Sequence, residues 1–105
     1  MPTITHDGTT ITQINVFTTT PENQLALIDI LCEAARFAST MPGWRSASLH
    51  RSLDGTRVVN YAQADTLETM QAVFGRLQSA GFMQRTATIA TAHPGLYEVA
   101  FTLER

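Results

Sequence analysis

Few side chains in this sequence can do covalent or proton-transfer chemistry. The 105 residues hold three histidines (His6, His50 and His93), a single cysteine (Cys32) and seven basic residues, every one of them arginine. Without lysine there is no Schiff base and no amine nucleophile. The histidines show no HxH, HxxxH or HExxH spacing, so no metal site is expected. Neither a GxGxxG run nor a P-loop occurs, and nothing supports a nucleotide cofactor. Cys32 lies among Leu31, Ala34 and Ala35 and reads as a small packed hydrophobe. What remains is hydrogen-bond and acid–base chemistry by histidine, arginine and amides.

Each candidate has a functional and a structural reading. His50 is the candidate general base, because imidazole titrates nearest neutral pH; otherwise it is a barrel or interface histidine with its hydrogen bond satisfied. Asn60 stands in a valine-rich strand, where a buried amide must find a partner. That partner is a substrate carbonyl or phenol, or the neighbouring backbone. Asn15 follows the same logic, with the structural role favoured. Arg85 is either a fixed planar cation for an enolate or peroxide, or an exposed helix arginine. Trp44, Phe74, Phe82 and Tyr97 are candidate walls for an aromatic ligand, against a default of core or interface packing.

These residues need elements to position them. Residues 12–18 alternate and are β-branched, which predicts a strand with Gln13, Asn15 and Phe17 on one face. Thr20-Pro21-Glu22-Asn23 predicts a helix start, with Thr20 as cap and Pro21 first in the helix. Pro42-Gly43 stops that helix near Thr40. Its polar stripe is Asp29, Glu33, Arg36 and Thr40. The remaining apolar arc is wide enough to cover a cavity or a subunit contact. Strands follow at Trp44–Leu53 and Arg57–Ala64, joined by Asp54-Gly55. Ser46, Ser48 and His50 share one face of the first, and Val58, Asn60, Ala62 and Ala64 one face of the second. Thr66 caps a second helix, with breaks expected at Gly75 and Gly81 that would let a roof carrying Phe74, Phe82 and Met83 move. A further helical piece is expected over 82–90, a turn over 92–95 and a last strand over 96–103.

The predicted fold class is therefore α+β: βαββαβ, ferredoxin-like, with a four-stranded antiparallel sheet and both helices on one face. Residues 1–10 read as a tail and 11–105 as one domain. With 44% hydrophobic and 15% charged residues the chain is globular. A net charge of −2 argues against nucleic acid as a partner. One cysteine permits no intrachain disulfide, and there is no membrane-length apolar run or signal pattern, so the expected address is cytoplasmic. The sheet face away from the helices is apolar enough to call for a homodimer.

Several segments are similar to the antibiotic-biosynthesis monooxygenase family. They are Ser48-Leu49-His50-Arg51-Ser52-Leu53-Asp54-Gly55-Thr56-Arg57-Val58-Val59-Asn60-Tyr61-Ala62-Gln63, Pro21-Glu22-Asn23-Gln24, Met41-Pro42-Gly43-Trp44 and Pro94-Gly95-Leu96-Tyr97-Glu98-Val99. The resemblance spans residues 11–104. It implies a dimeric α/β barrel and a small aromatic substrate with O₂ as partners. Well-studied members oxidise anthrone-type aromatic polyketides to quinones without metal, flavin or haem. Other branches degrade haem, act as isomerases or have no known activity, so fold alone does not settle the reaction. The asparagine of the family's Asn-Tyr-x-x-Trp segment matches Asn60. Where the tryptophan stands in that segment, this chain has Ala64, which implies a wider pocket or a different catalytic set. A family arginine corresponds to Arg85. Haem degradation needs a histidine on the second helical region, and 66–91 holds none.

Oxygenation without a cofactor requires an electron-rich phenolate or enolate that can give an electron to O₂. The protein must promote that anion, keep it dry and stabilise the peroxide. The expected activity is thus a cofactor-independent monooxygenase with Asn60, His50 and Arg85 in the polar roles. A polyketide cyclase, an isomerase or a ligand-binding protein on the same fold is the alternative, and Ala64 is its main support.

Overall fold

Alternating β-branched residues extend the chain from Ile11 to Thr18 as β1, which lies inside the sheet rather than at its edge. The structure, a computed structural model, describes residues 3–4 and 6–105; Met1, Pro2 and Thr5 of the expected tail lie outside the described residues. The remaining elements are α1 (Gln24–Ala38), β2 (Trp44–Arg51), β3 (Arg57–Ala64), α2 (Leu67–Ser79), α3 (Phe82–Ala87) and β4 (Thr91–Tyr97). The strands pair antiparallel in the order β2-β3-β1-β4. The architecture is the expected ferredoxin-like βαββαβ, with the second helical region in two pieces.

The β2–β3 hairpin turns at Asp54-Gly55, where Gly55 has φ +80°. The Asp54 carboxylate accepts from Thr56 Oγ1 (2.6 Å), Ser52 Oγ (2.8 Å) and Thr56 N (3.0 Å). Thr66 caps α2 as expected, its hydroxyl accepting from Thr69 N at 3.1 Å. The α1 stripe Asp29, Glu33, Arg36 and Thr40 is exposed, while Leu27, Leu31, Ala34 and Ala38 are buried.

Four local expectations are corrected. First, α1 begins at Gln24, not at Pro21. Thr20 O accepts from Asn23 N in a turn (3.0 Å), and Gln24 Nε2 then reaches the hairpin carbonyls of Arg57 (3.0 Å) and Ser52 (3.2 Å). A turn over 21–23 thus takes the place of the first helical turn. Second, Gly75 sits unbroken inside α2; the break is at Gly81, where φ is +88°. Third, α3 stops at Ala87.

Fourth, the last strand is Thr91–Tyr97, so the expected turn over 92–95 is strand and residues 98–105 are not. Pro94 suggested a turn because it cannot donate to a ladder. β4 is an edge strand, where a proline is tolerated.

Phe17, Leu27, Leu31 and Val58 form the buried core cluster, with Ile28, Leu49 and Ile89 packed against it. This cluster occupies the half of the helix–sheet interface nearer the β2–β3 turn. The other half is not filled. Among the described residues no helix is long and apolar enough to cross a membrane.

Candidate active site

The unfilled half of the interface is a cavity of about 210 Å³. Its origin is side-chain size. α1 presents Ala34, Ala35 and Ala38, and the sheet opposite presents Ala47 and Ala62. Close packing needs larger side chains at such positions. Met70, Val73 and Phe74 of α2 and Phe82 and Met83 of α3 form the roof. The wide apolar arc of α1 does cover a cavity.

The floor carries the polar groups. Gln13 and Asn15 of β1 and Asn60 of β3 point to the helix side. Asn15 and Asn60 are direct partners in the β1–β3 register, which sets their side chains adjacent on one face. Asn15, only 8% exposed, has its Oδ1 accepting from His93 N at 3.1 Å. This bond ties β1 to β4. Asn60 Oδ1 is buried without a hydrogen-bond partner among the described residues. Leaving such an acceptor unpaired costs about 1–3 kcal/mol. A ligand O–H or N–H placed here would recover that loss.

Trp44 lines the cavity beside the floor. Its register partner is Ala64, which is fully buried and does not line the cavity. A register irregularity between Trp44 and Ser46 re-aims the start of β2. Phe74 and Phe82 are roof residues as expected, and their rings wall the space.

Four expected site residues are not brought to the cavity: Ala64, buried behind Trp44, and His50, Tyr97 and Arg85. His50 pairs with Val59 in the β2–β3 register and lies on the opposite sheet face, exposed, with Nε2 3.0 Å from Ser48 Oγ. The two-residue period of a strand separates it from the face of Asn60. Tyr97 is likewise on the far face, 51% exposed. Arg85 turns outward from α3. Its Nη1 lies 2.7 Å from Glu33 Oε2, and its guanidinium stacks 5.5 Å from the Phe82 ring centre. The Arg85 hydrogen bond holds the Glu33 carboxyl below the usual carboxylate range. Arg85 thus braces Phe82 and links α3 to α1 instead of entering the site.

The cavity lining among the described residues contains no Asp, Glu, His, Cys, Tyr, Lys or Arg. The site offers an amide acceptor, flat aromatic walls and an apolar interior. Gln13 and the alanine wall were missed as site features. The signal was present in the repeated alanines on one side of α1 and in Gln13 sharing a strand face with Asn15. Among the described residues no group of three or more His, Cys, Asp or Glu side chains is placed to hold a metal ion.

Comparison with known proteins adds to this geometry. Tetracenomycin-F1 monooxygenase of Streptomyces glaucescens is 44% identical over 64 residues, covering 60% of this chain and 57% of that protein. The match thus spans little more than half of that relative's length. SnoaB, a cofactor-independent oxygenase from Streptomyces nogalater, superposes with a TM-score of 0.81 at 20% identity, over 93% of this chain and all of that one. A monooxygenase from ActVA-Orf6 of Streptomyces coelicolor, solved with nanaomycin D, gives 0.80 at 22% identity over 92% and 93% of the two chains. At these identities the two structures establish the shared fold. No model of a known protein family matches the chain.

Proposed function

We propose that this chain is a member of the antibiotic-biosynthesis monooxygenase family and acts as a cofactor-independent monooxygenase, a reading supported by the partial sequence match and the shared fold. Its substrate on this reading is an anthrone-type aromatic polyketide or a quinol, which O₂ oxidises to a quinone. The observation that carries the proposal is the unpaired Asn60 Oδ1 on the floor of an apolar slot walled by Trp44 and Phe82.

The chemistry follows from what the slot holds. An anthrone loses two hydrogens from its methylene carbon and gains one oxygen atom, and the second oxygen atom leaves as water. Asn60 Oδ1 accepts a hydrogen bond from the hydroxyl of the enol tautomer, favouring that electron-rich form and fixing its ring. That form transfers an electron to O₂, and the resulting pair combines to a peroxide that collapses to the ketone. The apolar walls exclude water and strengthen the one polar contact. With no titratable side chain among the described lining residues, the substrate ionises by its own acidity, and the proton it gives to solvent returns to the peroxide. Trp44 provides the flat indole face at a position adjacent to Ala64.

A second reading, a cyclase, isomerase or ligand-binding protein, keeps the support of Ala64. Oxygen uptake and quinone formation with dithranol under metal-free conditions separate the two. A rate no higher than the spontaneous one, with the site saturated, rejects the oxygenase.

A homodimer and a cytoplasmic location belong to the same proposal. The far sheet face carries half-buried Ile14, Val16, Val59 and Tyr61, and Tyr97, Phe101 and Leu103 are exposed by 51%, 76% and 84%. That apolar area supports a second copy as its cover. Light scattering at micromolar concentration tests it, and a monomer would count against it.

A further inference from the structure

The cavity continues outward between α2 and the edge strand β4 into a second chamber of about 400 Å³. Gln13, Met70, Phe74 and Pro94 line both chambers, so they form the neck between them. Beyond the neck the outer chamber adds Gln71 of α2 and Leu96 of β4. Leu96 is 51% exposed and Phe74 37% exposed, so the chamber opens to solvent.

Size decides what this means. Small-molecule sites usually measure roughly 300–1,000 Å³. The inner chamber, at about 210 Å³, falls short of that range by itself. A ligand that reaches Asn60 and has the bulk of an ordinary small-molecule ligand must pass Gln13 and project past Phe74. We propose that the outer chamber is a second subsite that selects ligands by length and by a polar group on their far end. Gln13 and Gln71, the amides at and beyond the neck, hydrogen-bond that end. The ligand class is a long flat ring system, hydroxylated at both ends, with one end at Asn60 and the other between Gln71 and Leu96. Gln71 and Leu96 are then specificity-determining residues.

This inference rests on the reaction site proposed above, and the test keeps the two apart. Trp44, the single tryptophan, lines the inner chamber and reports occupancy by fluorescence quenching. The probes are a hydroxylated anthraquinone (three fused rings) and a naphthacenequinone hydroxylated on its terminal ring (four fused rings). Thermal unfolding of each variant confirms that it folds. Gln71→Leu should weaken the four-ring probe about three- to tenfold, the size of one neutral hydrogen bond. Leu96→Phe should weaken it by narrowing the outer chamber. Neither should change the three-ring probe more than about twofold. Asn60→Ala should weaken both probes. If Asn60→Ala weakens both but Gln71→Leu and Leu96→Phe do not discriminate by length, the second subsite is rejected and the reaction site stands. If Asn60→Ala weakens neither, both proposals fall.

Discussion

Asn15 and Asn60 face each other across the β1–β3 ladder, and only one of them is satisfied. Asn15 Oδ1 holds the His93 N–H and so anchors β4, while Asn60 Oδ1 holds nothing. Two amides of the same type therefore have opposite expected behaviour. Asn15→Ala should lower stability by about 1–3 kcal/mol, because it strands a backbone donor. Asn60→Ala should leave the melting temperature unchanged or raised, yet cut kcat by roughly 10- to 100-fold. Thermal unfolding beside single-turnover rates checks the pair. A Tm loss at Asn60→Ala equal to that at Asn15→Ala would contradict the assignment.

Trp44 and Ala64 occupy adjacent positions, one lining the cavity and one fully buried. Ala64→Trp should overpack this site and cost about 1–3 kcal/mol. The double variant Trp44→Ala, Ala64→Trp should recover part of that loss, since space opens where bulk is added. Trp44→Ala alone should weaken planar ligands about three- to tenfold through lost ring contact. Denaturant titrations of the four proteins give the coupling directly.

The absence of titratable groups from the described lining makes a kinetic prediction. Plots of log kcat/KM against pH should bend at the substrate's own ionisation and shift when a substrate of different acidity is used. His50→Gln should leave the profile in place, because His50 lies on the other sheet face. An inflection that is independent of substrate and lost in His50→Gln would reverse this.

Asp54 makes stability pH-dependent at the acid end. Hydrogen bonds from the Thr56 hydroxyl, the Thr56 N–H and the Ser52 hydroxyl lower its pKa to about 2. A lowered folded-state pKa means a contribution fully present above the unfolded value of about 3.9, lost as pH falls through the folded value. Asp54→Ala should therefore melt lower than the natural chain at pH 7, and the gap should close between pH 4 and pH 2. A gap that stays constant over that window would exclude this carboxylate as the cause.

The arginine–glutamate bridge over the roof should matter more for binding than for folding. Arg85 and Glu33 are each about half exposed, and solvent screening leaves such pairs little stabilising effect. Arg85→Ala should change Tm slightly but raise KM a few-fold, because Phe82 loses its brace. A fall in kcat with KM unchanged would instead place Arg85 at the reacting atoms.

Much of this protein was legible in the linear order of residues. Period-two and helical spacing are local properties, so β1, β2, β3, the start of α2 and the helix-side placement of Asn15, Asn60, Phe74 and Phe82 could be read directly. The tight-turn glycine at 55 and the Thr66 cap are equally local, because each satisfies its hydrogen bonds within a few residues.

What tertiary structure decided was everything that depends on a partner far along the chain. Pro94 suggests a turn in isolation, but it lies in β4 because it sits at a sheet edge beside Asn15. Gln24 ties the start of α1 to hairpin carbonyls far along the chain. His50 and Arg85 had suitable chemistry, yet the strand period turns one away and Glu33 holds the other outward. The sequence by itself determined the elements and their apolar faces. Only the packing of α1 on the sheet decided that alanine meets alanine, leaving the space that Asn60 lines with its own oxygen unpaired.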